Sequence, residues 1–226
     1  MSIIQCGTTT TTALVQTGDT NGNLVIQTGS TPTTAMTVSS SQIVNFANAP
    51  TVAGAPLPSG AMTLISTQTA SNSANISWTG LSGYNSYVII FKNIINISSG
   101  GGLSLRPGTG SGPTYITSNY YGWGIDGWSG ATTVHGVSIA GSNRATISGN
   151  NYGVDITGGG ASGFIFLEQT NSGYLNIQSS SSSYTSVLES EWYNYQITTI
   201  NTITAFQLYS GSGNISGTAS LYGISS

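Results

Sequence analysis

Two glutamates stand two positions apart in the segment LESEW, Glu189 and Glu191. Residues i and i+2 of a β-strand share a face, so these carboxyls can reach the roughly 5–9 Å separation that paired acids need across a glycosidic bond. Glu168 is a third acid whose place relative to them depends on the fold. The plainer alternative is that ESEW forms a solvent-facing strand end or turn without chemistry, and that is the expectation carried forward. His135 is the sole histidine. With Asp126 or Asp155 and a serine it has the residue types of a nucleophilic triad, but no G-x-S-x-G elbow surrounds any serine. A polar residue within a strand TVHGV is the simpler assignment. Zinc lacks ligands unless subunits share His135 on a three-fold axis. Asp19, Asp126 and Asp155 stand in Gly- or Asn-rich stretches read as turns, where carbonyls could complete a calcium shell, yet none has the spacing of a calcium loop. The expectation is a non-enzyme with no catalytic residue, no metal and no cofactor.

Binding is better served. The segment YITSNYYGWGIDGW, Tyr115 to Trp128, holds five aromatic residues among fourteen and a single charge, Asp126. Tyr115, Tyr120, Tyr121, Trp123 and Trp128 are separated by Asn119, Gly122, Gly124 and Gly127. Tyr and Trp lose little rotamer freedom when fixed and present a flat apolar face with a polar edge, which matches the apolar face and polar rim of a sugar ring. These five are the glycan-binding candidates. The competing use of the same rings is a core or a subunit contact, with Trp128 and Ile125 internal. Tyr152, Tyr184, Tyr193 and Tyr195 are secondary candidates, the last two expected to face inward because they alternate with Ile197.

The elements that would position these residues follow from composition. The chain has 226 residues, 38 % of them hydrophobic, with only three Lys/Arg and six Asp/Glu, 4 % charged, against roughly 25 % in ordinary soluble domains. No charge occurs from Thr20 to Phe91. Gly, Ser, Thr and Asn fill that space, and all four disfavour helix interiors, so the expected fold is all-β with many turns. A net charge of −3 opposes nucleic-acid binding, which depends on Lys/Arg at phosphates. Cys6 is the only cysteine, which excludes an intrachain disulfide and a cysteine metal site. No stretch approaches the ~18 apolar residues of a membrane span, and the start MSIIQCGTTTTTA lacks a secretory pattern. The expectation is a cytosolically made chain, not inserted in a membrane, that is retained or assembled into a particle.

Three parts are expected along the chain. Residues 1–20 are read as a flexible N-terminus. Residues 21–60 contain short strand signals, GNLVIQTG and TTAMTVSSSQIVNFANA, with too few apolar side chains for a private core. They are read as an intersubunit β segment that ends in the Pro-rich linker PTVAGAPLPSG. Residues 61–226 carry about ten strand signals, from NISW and YVIIFKNIIN through GLSLR, TTVHGVSI, GFIFLEQ, GYLNIQS, YTSVLES, WYNYQIT and ITAFQLY to NISGTASLYGI. Gly, Asn or Ser clusters between them predict an antiparallel β-sandwich of jelly-roll type. Ser220 to Ile224 is expected as an interior edge strand. YVIIFKNIIN and GFIFLEQ are apolar on both faces, which predicts cover on both sides. With no helix to supply it, the second cover is expected from other subunits.

The segment TLISTQTASNSANISWTGLSGYNSYVIIFKNI, Thr63 to Ile94, resembles the start of the C-terminal β domain of bacteriophage tail-fibre and minor virion structural proteins. The closing segment FQLYSGSGNISGTASLYGIS, Phe206 to Ser225, is similar to their final hairpin. GNLVIQTGSTPTTAMTV resembles short fibre segments of cyanophage and marine phage proteins. Between residues 97 and 200 the likeness lies in element order alone. It implies a homotrimeric virion protein on the tail or capsid surface, held to other virion proteins by its N-terminal segment. The distal β domain would be receptor-binding and would contact host surface glycans. Many such proteins carry long shafts that this sequence lacks, which leaves open a short fibre or an ornament. A purely structural ornament and a polysaccharide depolymerase using Glu189 and Glu191 are the alternatives.

Overall fold

A computed structural model describes residues 23–28, 33–41, 43–46, 51–52, 55–56, 62–97, 101–130, 133–148, 160–170, 172–184, 188–198 and 202–224. The chain divides into two compact units, Met1–Ser59 and Gly60–Ser226. The expected flexible segment 1–20, Asp155 and Tyr152 lie outside the described residues.

In the first unit, β1 (Leu24–Thr28), β2 (Thr33–Val38) and β3 (Val44–Phe46) form a three-stranded antiparallel sheet. The turn into β3 is tied by Ser39, whose N–H donates to the Ile43 carbonyl at 2.9 Å and whose Oγ accepts from the Ile43 N–H at 3.2 Å. Val25, Ile26, Ile43 and Val44 are all exposed, as a segment with too few apolar residues to enclose them would leave them. The Pro-rich stretch, expected as a strandless linker, carries a two-residue ladder of β4 (Thr51–Val52) and β5 (Ala55–Pro56).

Among its described residues the second unit contains thirteen strands: β6 (Met62–Ser73), β7 (Asn75–Thr79), β8 (Ser86–Asn96), β9 (Leu103–Thr109), β10 (Thr114–Tyr115), β11 (Tyr120–Trp128), β12 (His135–Ser142), β13 (Ala145–Ser148), β14 (Gly160–Gln169), β15 (Leu175–Tyr184), β16 (Leu188–Ile197), β17 (Ile203–Ser210) and β18 (Ile215–Ile224). Eight of them pair in the order β12-β11-β16-β15-β14-β8-β18-β6. A five-stranded sheet runs β10-β9-β17-β7, with β13 also on β9. Every pairing is antiparallel. The fold is therefore all-β, with several antiparallel sheets.

Alternation along the strands drives the packing. In β16 every second residue from Glu189 to Ile197 is buried, as a sheet with one dry face requires. The dry faces feed one core, with Ile89, Phe91, Ile165 and Ile177 from the larger sheet and Ile76, Trp78, Leu105 and Phe206 from the smaller. Polar links join the same two sheets. Ser181 Oγ donates to the Ile147 carbonyl at 2.8 Å, and the Thr146 N–H donates to Tyr195 Oη at 3.0 Å. The GLSGY turn leaves β7 with Gly80 and Gly83 at φ 69° and 84°.

Three expectations change. YTSVLES and WYNYQIT are not two strands: residues 188–197 form the single strand β16. The aromatic segment, not among the expected strands, holds all of β11 and the Tyr115 end of β10. Ser220–Ile224 lies inside β18, which is flanked by β8 and β6, so the sheet edge is β6. β8 and β14 are buried on one face, and Ile90 and Phe164 on the other are exposed within the chain.

Candidate functional site

The glycines of β11 determine where its rings go. Tyr120, Gly124 and Asp126 are buried on the inner face, and Tyr121, Trp123 and Ile125 point outward and are exposed. In the neighbouring strand, Tyr195 stands opposite Gly122 and Tyr193 opposite Gly124. A Cβ at Gly124 would collide with the Tyr193 ring, and one at Gly122 with the Asn194 carbonyl. Glycine thus vacates the inner face so that the rings of the next strand can lie across it, an arrangement known for aromatic pairing over strand glycines. Tyr193 and Tyr195 face inward, as their alternation with Ile197 requires.

The five glycan-binding candidates separate. Tyr120 is fully buried and donates its hydroxyl to the Ile116 carbonyl at 2.9 Å. Burial drives its phenol pKa far upward, with a further push from Tyr209 and partial relief from Arg106. It serves the core. Tyr115 is half-buried in β10, and Trp128 is half-buried with its ring edge-on to His135 at 4.4 Å. Tyr121 and Trp123 are 45 % and 51 % exposed. Ile125, imagined as an internal partner of Trp128, is on the outer face and exposed. Tyr184 ends β15 and is exposed.

Strand register supplies what sequence spacing alone does not. Trp123 stands opposite Asn194 and Tyr121 opposite Gln196, and these amides face Gln178 and Asn176 on β15. Four amide side chains therefore form a block beside two exposed rings, with Gln196 Nε2 donating to Asn176 Oδ1 at 3.2 Å. Tyr121, Trp123 and the four amides border an open depression of about 260 Å³. Trp192, also exposed, meets Trp123 edge-on at 5.2 Å between centroids. Beyond it lies a second open depression of about 530 Å³, bordered by Ile125, Trp192 and Phe164 and by Ser162, Ser180, Ser182 and Ser190. Trp192 and the amides were missed from sequence. The available signal was Asn and Gln recurring at alternate positions in LNIQ and YNYQ.

The inner face holds the acids. Glu189 and Glu191 do share a face, but it is the dry one: they are 1 % and 3 % exposed. The expected solvent-facing ESEW is thereby overturned, because the strand runs on through Ile197 and its alternation turns both carboxyls inward. Asp126 is also buried, at 1 % exposure, and lies in a strand and not in a turn. One carboxylate oxygen from each of the three lies within 4.8 Å of the others, an arrangement able to hold a metal ion. Tyr193 Oη donates to Glu191 Oε1 at 3.0 Å. Burial first, then the Glu191 charge and that hydrogen bond, hold the Tyr193 phenol well above its usual range. His135 opens β12 and is half exposed, with Nδ1 3.9 Å from Asp126 Oδ1. Glu168 is exposed on the opposite face of β14, between Ser86 and Asn176, and does not join the cluster. Asp19 lies outside the described residues.

Comparison with known proteins found no matching family model, no matching curated protein and no matching solved structure.

Proposed function

We propose that this chain is a non-enzymatic, glycan-binding virion fibre or decoration protein whose ligand lies on the outer face of the eight-stranded sheet. The observation that carries the binding reading is the juxtaposition of exposed Tyr121 and Trp123 with the amide block Asn176, Gln178, Asn194 and Gln196. Ring faces take the apolar face of a sugar, and fixed amides offer donors and acceptors to its hydroxyls. The acids favour a binder over a depolymerase. A retaining or inverting pair must flank a sugar, whereas Glu189 and Glu191 are closed into the interior. Calorimetry or a glycan array, comparing the unaltered chain with Trp123→Ala, tests the reading.

The virion assignment rests on the resemblance of Thr63 to Ile94 and of Phe206 to Ser225 to phage fibre domains, and the jelly-roll sandwich is part of the same proposal. Ile90 and Phe164 stand side by side on neighbouring strands of the outer face, both exposed. In this reading they form the subunit contact of a homotrimer, while the Tyr121–Trp123 end of the face stays open to ligand. The first unit attaches the chain to other virion proteins. A surface of hydroxyls and amides suits such a role, because it depends less on ion pairs that external salt would screen. Immunolabelling of purified particles tests the location.

A further inference from the structure

The larger depression on the outer face has no part in the site around Tyr121 and Trp123, and its shape follows from strand register. Trp192 on β16, Ser180 on β15 and Phe164 on β14 stand in one row across three neighbouring strands. Trp192 and Phe164 are exposed, and Ser180 between them carries far the smallest side chain of the three. A short residue flanked by two rings makes a slot. β16 and β14 lie two strand spacings apart, about 9.5 Å. A sugar ring touched on both sides at about 3.5–4.0 Å needs about 7–8 Å, so the slot admits one ring and not two. Hydroxyls surround it. Ser162, Ser182 and Ser190 border the same depression of about 530 Å³, and Ser182 and Ser190 are directly opposed and exposed. A serine hydroxyl both donates and accepts, which suits sugar hydroxyls as the amides of the first depression do.

We infer that this slot is a second subsite for the same ligand, which is an extended, uncharged oligosaccharide and not a single sugar. The inference rests on the glycan-binding reading of Tyr121 and Trp123, and it names the class of glycan. The two depressions are continuous. Trp123 borders the first and Trp192 the second, and their rings meet edge-on at 5.2 Å. Gln196, Asn194, Trp192 and Ser190 alternate along β16 on the outer face. From Gln196 to Ser190 the strand covers about 20 Å, room for about three or four sugar units in line. Charge selects the class. Among the described residues no Lys or Arg borders either depression. An acidic sugar would find no cation to pair with, and it would lie over the buried Asp126 and Glu191. The subsite is compatible with the proposed subunit contact. Ile90 stands opposite Phe164 on the β8 side, whereas the slot opens on its β15 side.

The test is isothermal titration of the full-length chain with size-graded ladders of neutral glucan, galactan and rhamnan, and a polygalacturonate ladder as the charged control. Affinity for a neutral ladder should rise at least about ten-fold between disaccharide and tetrasaccharide. Ser180→Leu, which fills the slot, should erase that rise while disaccharide affinity, melting temperature and light-scattering mass stay unchanged. Ser182→Leu, at the next outward position of β15, should reduce the rise, and Trp123→Ala should weaken binding at every length. Equal affinity from disaccharide to hexasaccharide, or a rise that survives in Ser180→Leu, overturns the inference and leaves the Tyr121–Trp123 reading standing. No binding at any length fails that reading and the inference together. Tighter binding of polygalacturonate than of every neutral ladder contradicts the uncharged assignment.

Discussion

Gly124 and Tyr193 stand opposite each other on β11 and β16, and the Tyr193 ring occupies the space that a side chain at position 124 would need. The contact explains why a ring-rich segment is also glycine-rich. Glycines receive the rings of one strand on the inner face, and the intervening residues carry rings outward. Overpacking a filled site costs about 1–3 kcal/mol. Gly124→Ala should lower unfolding stability by that amount in a urea titration, whereas Gly127→Ala, which meets nothing within 4 Å, should stay within about 0.5 kcal/mol of the unaltered chain.

Asn96 fastens the end of β8 to the β17–β18 turn. Fully buried, it donates through Nδ2 to Ser210 Oγ at 2.7 Å and to the Ser212 carbonyl at 2.6 Å. Truncation removes a buried amide and both of these hydrogen bonds, at about 0.5–1.5 kcal/mol per bond, and leaves a void that adds about 1 kcal/mol. Asn96→Ala should therefore destabilise the second unit by roughly 2–4 kcal/mol, read by chemical denaturation.

Alkali should be the weak side of the pH profile. Burial raises the pKa of Tyr195 to about 12, and burial likewise raises Tyr87 and Tyr209. The folded state thus favours the neutral phenol. Below about pH 10, the unfolded value, both states are protonated and the contribution is complete. Above it the unfolded chain loses protons first, so stability falls as pH rises through about 12 for Tyr195. Unfolding free energy measured from pH 8 to 12 should decline from about pH 10, and Tyr195→Phe should shallow the decline.

Much of this fold was legible in the sequence where one strand's own alternation decides the outcome. Ile76 and Trp78 share the dry face, and Tyr193 and Tyr195 turn inward with Ile197. What was not legible depends on partners distant along the chain. The burial of Glu189 and Glu191 required knowing that β16 is an interior strand whose inner face is closed. The amide block needed the registers of β11, β15 and β16 together. Asp126 looked like a turn residue because Gly124 and Gly127 flank it, yet those glycines lie within a strand.

The exposed pair Ile90 and Phe164 carries the oligomer prediction. Light scattering should give about three times the 23.1 kDa chain mass. Phe164→Ser should shift the population toward monomer at micromolar concentration without changing the β-sheet circular dichroism. A folded monomer of the unaltered chain would sink the homotrimer.

The most direct test of the central claim is glycan binding by the folded chain on an array of bacterial surface polysaccharides, repeated with Trp123→Ala and Tyr121→Ala. Loss of one stacking ring should weaken binding at least about ten-fold, ~1.4 kcal/mol, with the melting temperature unchanged because both rings lie on the open face. Gln178→Ala should weaken it by a smaller factor, and Tyr115→Ala should leave it intact. Binding that survives the loss of both Tyr121 and Trp123, or a well-folded chain that binds no polysaccharide, would contradict the account.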